Sequence, residues 1–153
     1  MALYVKKSQL AGCGLGLYTD KPIRKDSKII EYRGEIITWK EYGKRVKEDK
    51  DGYLFYINSK RCIDAYPTPQ YKARYANDAE GLVKRKGLKN NSSYEIFGDK
   101  CFIVADRDIE AGEEIFVNYT NEYWDSVRYN IKHKLVSRDK PFPRPGKHPR
   151  KKK

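Results

Sequence analysis

The sequence predicts a mainly β chain with short helices. Three observations carry that expectation. Short apolar or aromatic stretches recur along residues 1–119, each bounded by Gly, Asp, Asn or Pro. Only two segments have the spacing of a helix, a polar one near residue 40 and a longer one after residue 120. The alternation of strands with long helices that marks a doubly wound fold is missing, and no internal repeat is present.

Taken in order, residues 5–18 hold a glycine-rich turn, Gly12-Cys13-Gly14-Leu15-Gly16, between short apolar stretches. Residues 20–27 are turn-like. Lys28-Ile29-Ile30-Glu31-Tyr32 and Glu35-Ile36-Ile37-Thr38 read as strands separated by Arg33-Gly34. Residues 39–50 are polar, with Tyr42 and Val46 four apart, and predict a short helix. Residues 53–57 and 60–64 predict a hairpin around Asn58-Ser59, and residues 71–76 a short turn or helix. A second hairpin is predicted from residues 93–97 and 100–105 around Gly98-Asp99. The turn Glu110-Ala111-Gly112-Glu113 leads into one strand over 114–119. Tyr123, Val127, Ile131 and Leu135 recur at steps of four and predict a helix over 121–136.

A chain of 153 residues suffices for one domain with a real core. Charged residues make up 35% and hydrophobic ones 39%, the balance of a solvated globule. No apolar run approaches the ~20 residues that span a bilayer. The opening Met1-Ala2-Leu3-Tyr4-Val5-Lys6 is charged too soon for a secretory signal, so an intracellular protein is expected. Cys13, Cys62 and Cys101 lie far apart, and the histidines are His133 and His148 alone. That pattern argues against a zinc site and a disulfide framework, and no metal is expected.

The net charge is +12, and residues 137–153 carry +7 of it among four prolines. This basic tail cannot build a core and is read as disordered, leaving residues 1–136 as the domain. It suits a polyanion such as nucleic acid, with a solubilising role as the alternative.

Four segments stand out chemically. The glycine turn is GxGxG followed by extended chain, not the GxGxxG that opens a dinucleotide-binding helix, and no GK[ST] follows. Its main chain is open to close approach by a ligand, although taken in isolation a tight structural turn is the favoured reading. The others are Tyr32-Arg33-Gly34-Glu35, Arg74-Tyr75-Ala76-Asn77-Asp78-Ala79, and Gly112-Glu113-Glu114-Ile115-Phe116-Val117-Asn118-Tyr119. Each alone is ordinary β sequence. Their order and spacing carry the weight.

In that order the chain resembles the SET-domain lysine methyltransferases. Gly12-Cys13-Gly14-Leu15 resembles the opening GxG segment, Tyr32-Arg33-Gly34-Glu35 the YxGE strand, and Ile63-Asp64-Ala65 the IDA-like segment. Residues 74–79 resemble the RFxNHS loop and residues 113–119 the GEELxxDY segment. The resemblance runs from about residue 10 to residue 124. It implies small curved sheets, a C-terminal pseudoknot and, without a cysteine-rich segment after Tyr119, a closing C-terminal helix. It implies S-adenosylmethionine as cofactor, held by Ala11, Gly12, Cys13, Gly14 and Leu15 through main chain. Tyr53, Arg74, Asn77 and Asp78 would join them, and Tyr123 or Trp124 would pack on the adenine. Tyr119 would orient the lysine amine and the methyl group, with Tyr32 and Tyr94 as companions in an aromatic channel. The substrate would be a protein lysine, a histone being one candidate, with a nuclear or chromatin location. Nucleic acid or nucleosome contact through the tail is a further expectation.

Three departures from the family pattern matter. Asn77-Asp78-Ala79 stands where Asn-His-Ser is usual. Residues 80–90 read as an insertion rich in Lys and Arg. Val117 sits where many members carry Phe or Tyr, and Tyr94 is a candidate to supply that bulk, which predicts monomethylation. Glu113 and Glu114 read as structural. The alternative function is an inactive SET-like module holding chromatin or nucleic acid through its basic surface.

Overall fold

A computed structural model describes residues 2–47, 53–58, 61–81 and 83–119. Its elements in order are β1 (Leu3–Lys7), β2 (Leu15–Thr19), β3 (Lys28–Glu31), β4 (Glu35–Ile37) and α1 (Trp39–Lys47). They continue with β5 (Leu54–Asn58), β6 (Arg61–Asp64), a 3₁₀ turn (Lys72–Tyr75), β7 (Ser92–Phe97), β8 (Lys100–Ala105), β9 (Glu114–Ile115) and β10 (Val117–Asn118). Three small sheets result, ordered β1-β2-β9, β10-β7-β8-β3 and β4-β6-β5. The mainly β architecture expected from the turn spacing is therefore present. The predicted helix over 121–136 and the tail lie outside the described residues.

Local chemistry accounts for the elements. The first sheet starts as a hairpin, with Val5 opposite Leu17 and Lys7 opposite Leu15. Gly12 and Gly14 close it at φ of +75° and +68°, a region that glycine enters without a Cβ penalty. Helix α1 opens on a side-chain cap: Thr38 Oγ1 accepts the Glu41 N–H at 3.2 Å. Arg45 on the same helix reaches Glu35, Glu41 and the buried Asp64 at 2.8, 2.8 and 2.6 Å, fixing α1 against β4 and β6. Gly34 permits the approach of β4 to β6, since a Cβ there would lie 2.4 Å from the Asp64 carbonyl oxygen.

The main core gathers Leu17, Ile29, Ile63, Ile103, Ile109 and Ile115 between the sheets. A second cluster, Ile37, Tyr42, Leu54 and Cys62, fills the space under α1. Strand β5 feeds both: Phe55 enters the main core and Leu54 the second. That is the period-two geometry of a strand buried on both faces.

One expectation needs correction. Residues 114–119 do not form one strand. Residues 114–115 pair with β2, and residues 117–118 pair in parallel with β7. Between them Phe116 makes a parallel bridge to Asn77. The change of partner has a local cause. The Phe116 carbonyl accepts the Asn91 and Ser92 N–H groups at 3.0 and 3.1 Å, while the Val117 N–H donates to the Asn77 carbonyl at 2.8 Å. The segment so crosses from one sheet to another beside residues 76–78.

Candidate active site

Two neighbouring features form the site, a glycine turn with open main chain and an aromatic cluster. In the turn Ala11, Gly12 and Gly14 are exposed, Cys13 is half-buried, and Leu15 is 47% exposed. The Ser8 N–H donates to the Gly14 carbonyl at 2.8 Å, closing the loop across its neck. Asn77 Nδ2 donates to the Leu15 carbonyl at 3.0 Å and ties the turn to the 76–78 loop.

Glu114 holds the turn from beneath. It is 2% exposed. Its carboxylate accepts the Ser8 hydroxyl at 2.7 Å and the Gln9 N–H at 2.9 Å. The Tyr18 hydroxyl lies 3.1 Å from the same carboxylate and 2.7 Å from the Lys7 carbonyl. Burial and the negative Glu114 push that phenol well above its ordinary value. Gly16 leaves room for the carboxylate, because a Cβ there would meet Glu114 Oε2 at 2.2 Å.

Residues 76–78 grip the strand that carries Tyr119. The Tyr119 hydroxyl donates to the Ala76 carbonyl at 2.5 Å, and the Tyr119 N–H donates to Asp78 Oδ2 at 2.9 Å. Asp78 Oδ1 accepts the Glu80 N–H and Asn90 Nδ2, both at 2.8 Å. Asn90 Oδ1 in turn accepts the Ala79 N–H at 2.8 Å. The aspartate is thus the knot between the loop and the Tyr119 strand.

The aromatic cluster joins Tyr32, Phe55, Tyr94 and Tyr119. Ring centroids lie 6.3 Å apart for Tyr94 and Tyr119, nearly parallel, and 5.9 Å apart for Tyr32 and Tyr94, edge to face. Phe55 sits 5.1 Å from Tyr94 and 5.5 Å from Tyr32. The Tyr32 hydroxyl donates to the Tyr53 carbonyl at 2.9 Å. Burial, with smaller contributions from Tyr94 and Tyr53, pushes Tyr32 well above its ordinary value of 10.0. Tyr32 is therefore a neutral wall and no base.

Arg74 lies on the adjoining side. Its guanidinium stands over the rings of Tyr53 at 4.2 Å and Tyr75 at 4.9 Å. One Nη donates to the Ala65 and Tyr66 carbonyls at 2.8 and 3.0 Å. Its Nε is buried and has no hydrogen-bond partner among the described residues.

The structure so brings Tyr32, Tyr94 and Tyr119 together, and links Leu15 to Asn77 and Tyr53 to Arg74. Tyr123 and Trp124 lie outside the described residues. Sequence reading missed three contributors. Phe55 lies on a strand buried on both faces, so alternation alone does not single it out. Ala76 acts through its carbonyl, and Glu114 through partners more than a hundred residues away, so neither left a local trace. No group of His, Cys, Asp and Glu among the described residues is arranged to hold a metal ion.

Small sheets, a glycine turn and a tyrosine strand gripped by a neighbouring loop define a compact β domain with one site at the sheet junction. The SET-domain family matches residues 14–120, and the chain belongs to that family. The chain is 33% identical over 149 residues to histone-lysine N-methyltransferase EZH2 of Chaetomium thermophilum, which covers 90% of this chain and 9% of that protein. It is 36% identical over 121 residues to histone-lysine N-methyltransferase SUV39H1-A of Danio rerio, covering 71% of this chain and 28% of the relative. Human histone-lysine N-methyltransferase 2D is 32% identical over 129 residues, 80% of this chain and 2% of that protein. The chain therefore spans a small part of these relatives. Among solved structures, an active polycomb repressive complex 2 in the basal state aligns with a TM-score of 0.65 at 28% identity, over 95% of this chain and 17% of the other.

Proposed function

We propose that the chain is an S-adenosylmethionine-dependent protein-lysine N-methyltransferase acting on a histone or another basic protein. The observation that carries the reading is the double grip on Tyr119, backbone to Asp78 and hydroxyl to Ala76, beside an aromatic cluster. That grip fixes one hydroxyl where the two motifs meet. Histone-lysine methyltransferase relatives and membership of the SET-domain family support the chemistry, and they support a chromatin location.

The residues present fit the cofactor. Open main chain at Gly12 and Gly14 admits an extended amino-acid moiety, and the buried Arg74 Nε is a donor able to meet a carboxylate. Ala11 to Leu15, Tyr53, Arg74, Asn77 and Asp78 are the residues assigned to hold it. When bound, S-adenosylmethionine supplies the methyl group and a positive sulfonium that favours the neutral, attacking form of a nearby amine.

The chain's own residues then align. The single proton of the Tyr119 hydroxyl is held by the Ala76 carbonyl, so toward a substrate this oxygen acts as acceptor. An acceptor there orients an amine N–H and fixes the line of attack, and much of the rate comes from that alignment. Tyr32, Phe55 and Tyr94 exclude water and offer ring faces to a methylammonium product. The Tyr94 ring beside Tyr119 limits room, which supports monomethyl-lysine as the main product.

Incubation with methyl-labelled cofactor and histones, followed by mass spectrometry, tests the reading. Transfer to lysine that Tyr119→Phe abolishes is the expected result. Neither cofactor binding nor transfer to any basic protein would leave the inactive-module reading in its place.

A further inference from the structure

We infer that the outer face of the turn at residues 84–89, whose charged side chains are none of those assigned to the active site, is a docking surface for the phosphate backbone of nucleic acid. Lys84, Arg85, Lys86 and Lys89 crowd four cations into six residues, and all four are exposed. None forms an ion pair among the described residues.

The turn is built to present them. Val83 and Leu88 pack inward on Leu10, Ala79 and Phe116. Gly87 turns the chain at φ +88°, and the Leu88 N–H donates to the Arg85 carbonyl at 3.0 Å. At the base the Asn90 N–H donates to the Glu80 carboxylate at 2.8 Å, and the Asn90 side chain is held by Asp78 and Ala79. A solvated insertion without a role needs neither an apolar anchor on each side nor a tied neck. Here Val83 and Leu88 are half-buried against that cluster, and the side chains exposed over residues 84–89 are the four cations.

That outer face fits a polyanion better than a folded protein. Protein interfaces draw their energy from desolvated aromatic and apolar anchors, and this turn exposes none. Phosphate contacts need only cations at a readable spacing, without apolar burial. The groove of about 260 Å³ behind the turn is lined by Glu113 and Glu114 as well as Lys89 and Arg107. Glu113 there is paired with Arg107 and Glu114 is buried, so the groove offers phosphate no surplus of positive charge, unlike the outer face. The remaining basic charge of the chain, +12 in all, adds attraction at long range. Binding of this kind is independent of base sequence and of the methyltransferase reading.

The test uses the full chain and a fluorescent DNA duplex, with affinity measured from 50 to 200 mM salt. Neutralising four phosphate contacts removes about 3.6 from the slope of log affinity against log salt, at about 0.9 per contact. Lys84→Gln/Arg85→Gln/Lys86→Gln/Lys89→Gln is therefore expected to lose about 150-fold less affinity than the parent chain across that fourfold salt range. Lys84→Arg/Lys86→Arg/Lys89→Arg is expected to keep the parent slope. A slope that changes by less than about one contact overturns the inference. So does an equal change from Lys25→Gln/Lys40→Gln/Lys44→Gln/Lys47→Gln, which would reduce the effect to net charge. Loss of binding to polyglutamate with an unchanged slope on DNA would assign the turn to acidic proteins instead, and would also overturn it.

Discussion

Glu114→Ala is expected to loosen the glycine turn from beneath, and Gly16→Ala is expected to do the same by another route. The Glu114 carboxylate accepts the Ser8 hydroxyl and the Gln9 N–H at 2.7 and 2.9 Å in a buried site. Tyr18 adds less, because its one proton already has the Lys7 carbonyl at 2.7 Å. Two hydrogen bonds to a buried charge, at about 1.5–3 kcal/mol each, set the loss at about 3 kcal/mol or more. For a domain of this size that lowers the melting temperature by about 6–12 °C. A Cβ on Gly16 would stand 2.2 Å from Glu114 Oε2, so Gly16→Ala displaces the same carboxylate and breaks the same bonds. With Glu114 already removed, the nearest remaining neighbour of that Cβ is the Ser8 Cβ at 3.2 Å, which is tight but tolerable. The two losses therefore do not add, and the double variant falls short of their sum by about 2 kcal/mol, the scale found for directly interacting residues. Urea unfolding of the four proteins completes the cycle, and calorimetric titration with S-adenosylmethionine shows whether affinity follows the turn. The reasoning is refuted if Gly16→Ala costs as much in the Glu114→Ala background as it does alone.

Other outcomes follow from the same contacts. Tyr119→Phe removes one hydroxyl hydrogen bond, about 1 kcal/mol of stability, yet should reduce methyl transfer by about 100-fold or more, read as kcat beside a thermal melt. Gly34→Ala drives a Cβ into the Asp64 backbone at 2.4 Å and should lower stability by about 2 kcal/mol or more, measured by urea unfolding. Burial raises the Glu113 carboxyl, but hydrogen bonds from Arg107 and the Glu110 N–H outweigh it and the net direction is down. Its stabilisation is complete above the ordinary value of 4.5 and disappears as pH falls through the lower folded value, so Glu113→Gln should flatten the acid limb of the stability curve. Tyr32 has the opposite sign: its folded value is raised, so its contribution is complete below 10.0 and is lost as pH rises beyond it. Tyr32→Phe should make unfolding less sensitive to alkali, followed by circular dichroism above pH 9.

The strands and α1 were legible because their signals are local. Gly98-Asp99 marks a hairpin that forms with Tyr94 opposite Ile103, and the step of four from Tyr42 to Val46 marks a helix that forms over Trp39–Lys47. What stayed hidden depends on distant partners. Strand β5 buries both faces, so its alternation could not show that Phe55 enters the aromatic cluster. Phe116 looks like one more strand residue, and only its pairing with Asn77 reveals the change of sheet. Glu113 and Glu114 both read as structural, yet they meet opposite environments. Glu113 meets Arg107 at the surface, whereas Glu114 is buried against Ser8 and Gln9.

Asp78 is where sequence comparison and structure pull apart most, and it supports one more prediction. Against the family pattern the aspartate reads as a lost histidine. In the fold three N–H donors converge on it: Tyr119 at Oδ2, and Glu80 and Asn90 at Oδ1. A carboxylate, acceptor on both oxygens, satisfies all three. An asparagine has one oxygen, so in either orientation its NH₂ faces at least one of these donors in a buried site. Asp78→Asn should therefore lose about 1.5–3 kcal/mol, the scale of one hydrogen bond to a charged group. A neutral histidine offers one acceptor nitrogen and satisfies at most one of the three, so Asp78→His should lose more. The Tyr119 N–H is among the donors at stake, so the strand carrying the hydroxyl shifts and methyl transfer falls together with stability. Restoring the family's usual residue thus damages this protein, because the Glu80 N–H and the Asn90 side chain are both held by the carboxylate. Melting temperature and kcat of Asp78→Asn and Asp78→His, measured beside the parent, decide the matter. A histidine variant that melts as high and turns over as fast as the parent would show that the three-donor knot holds nothing.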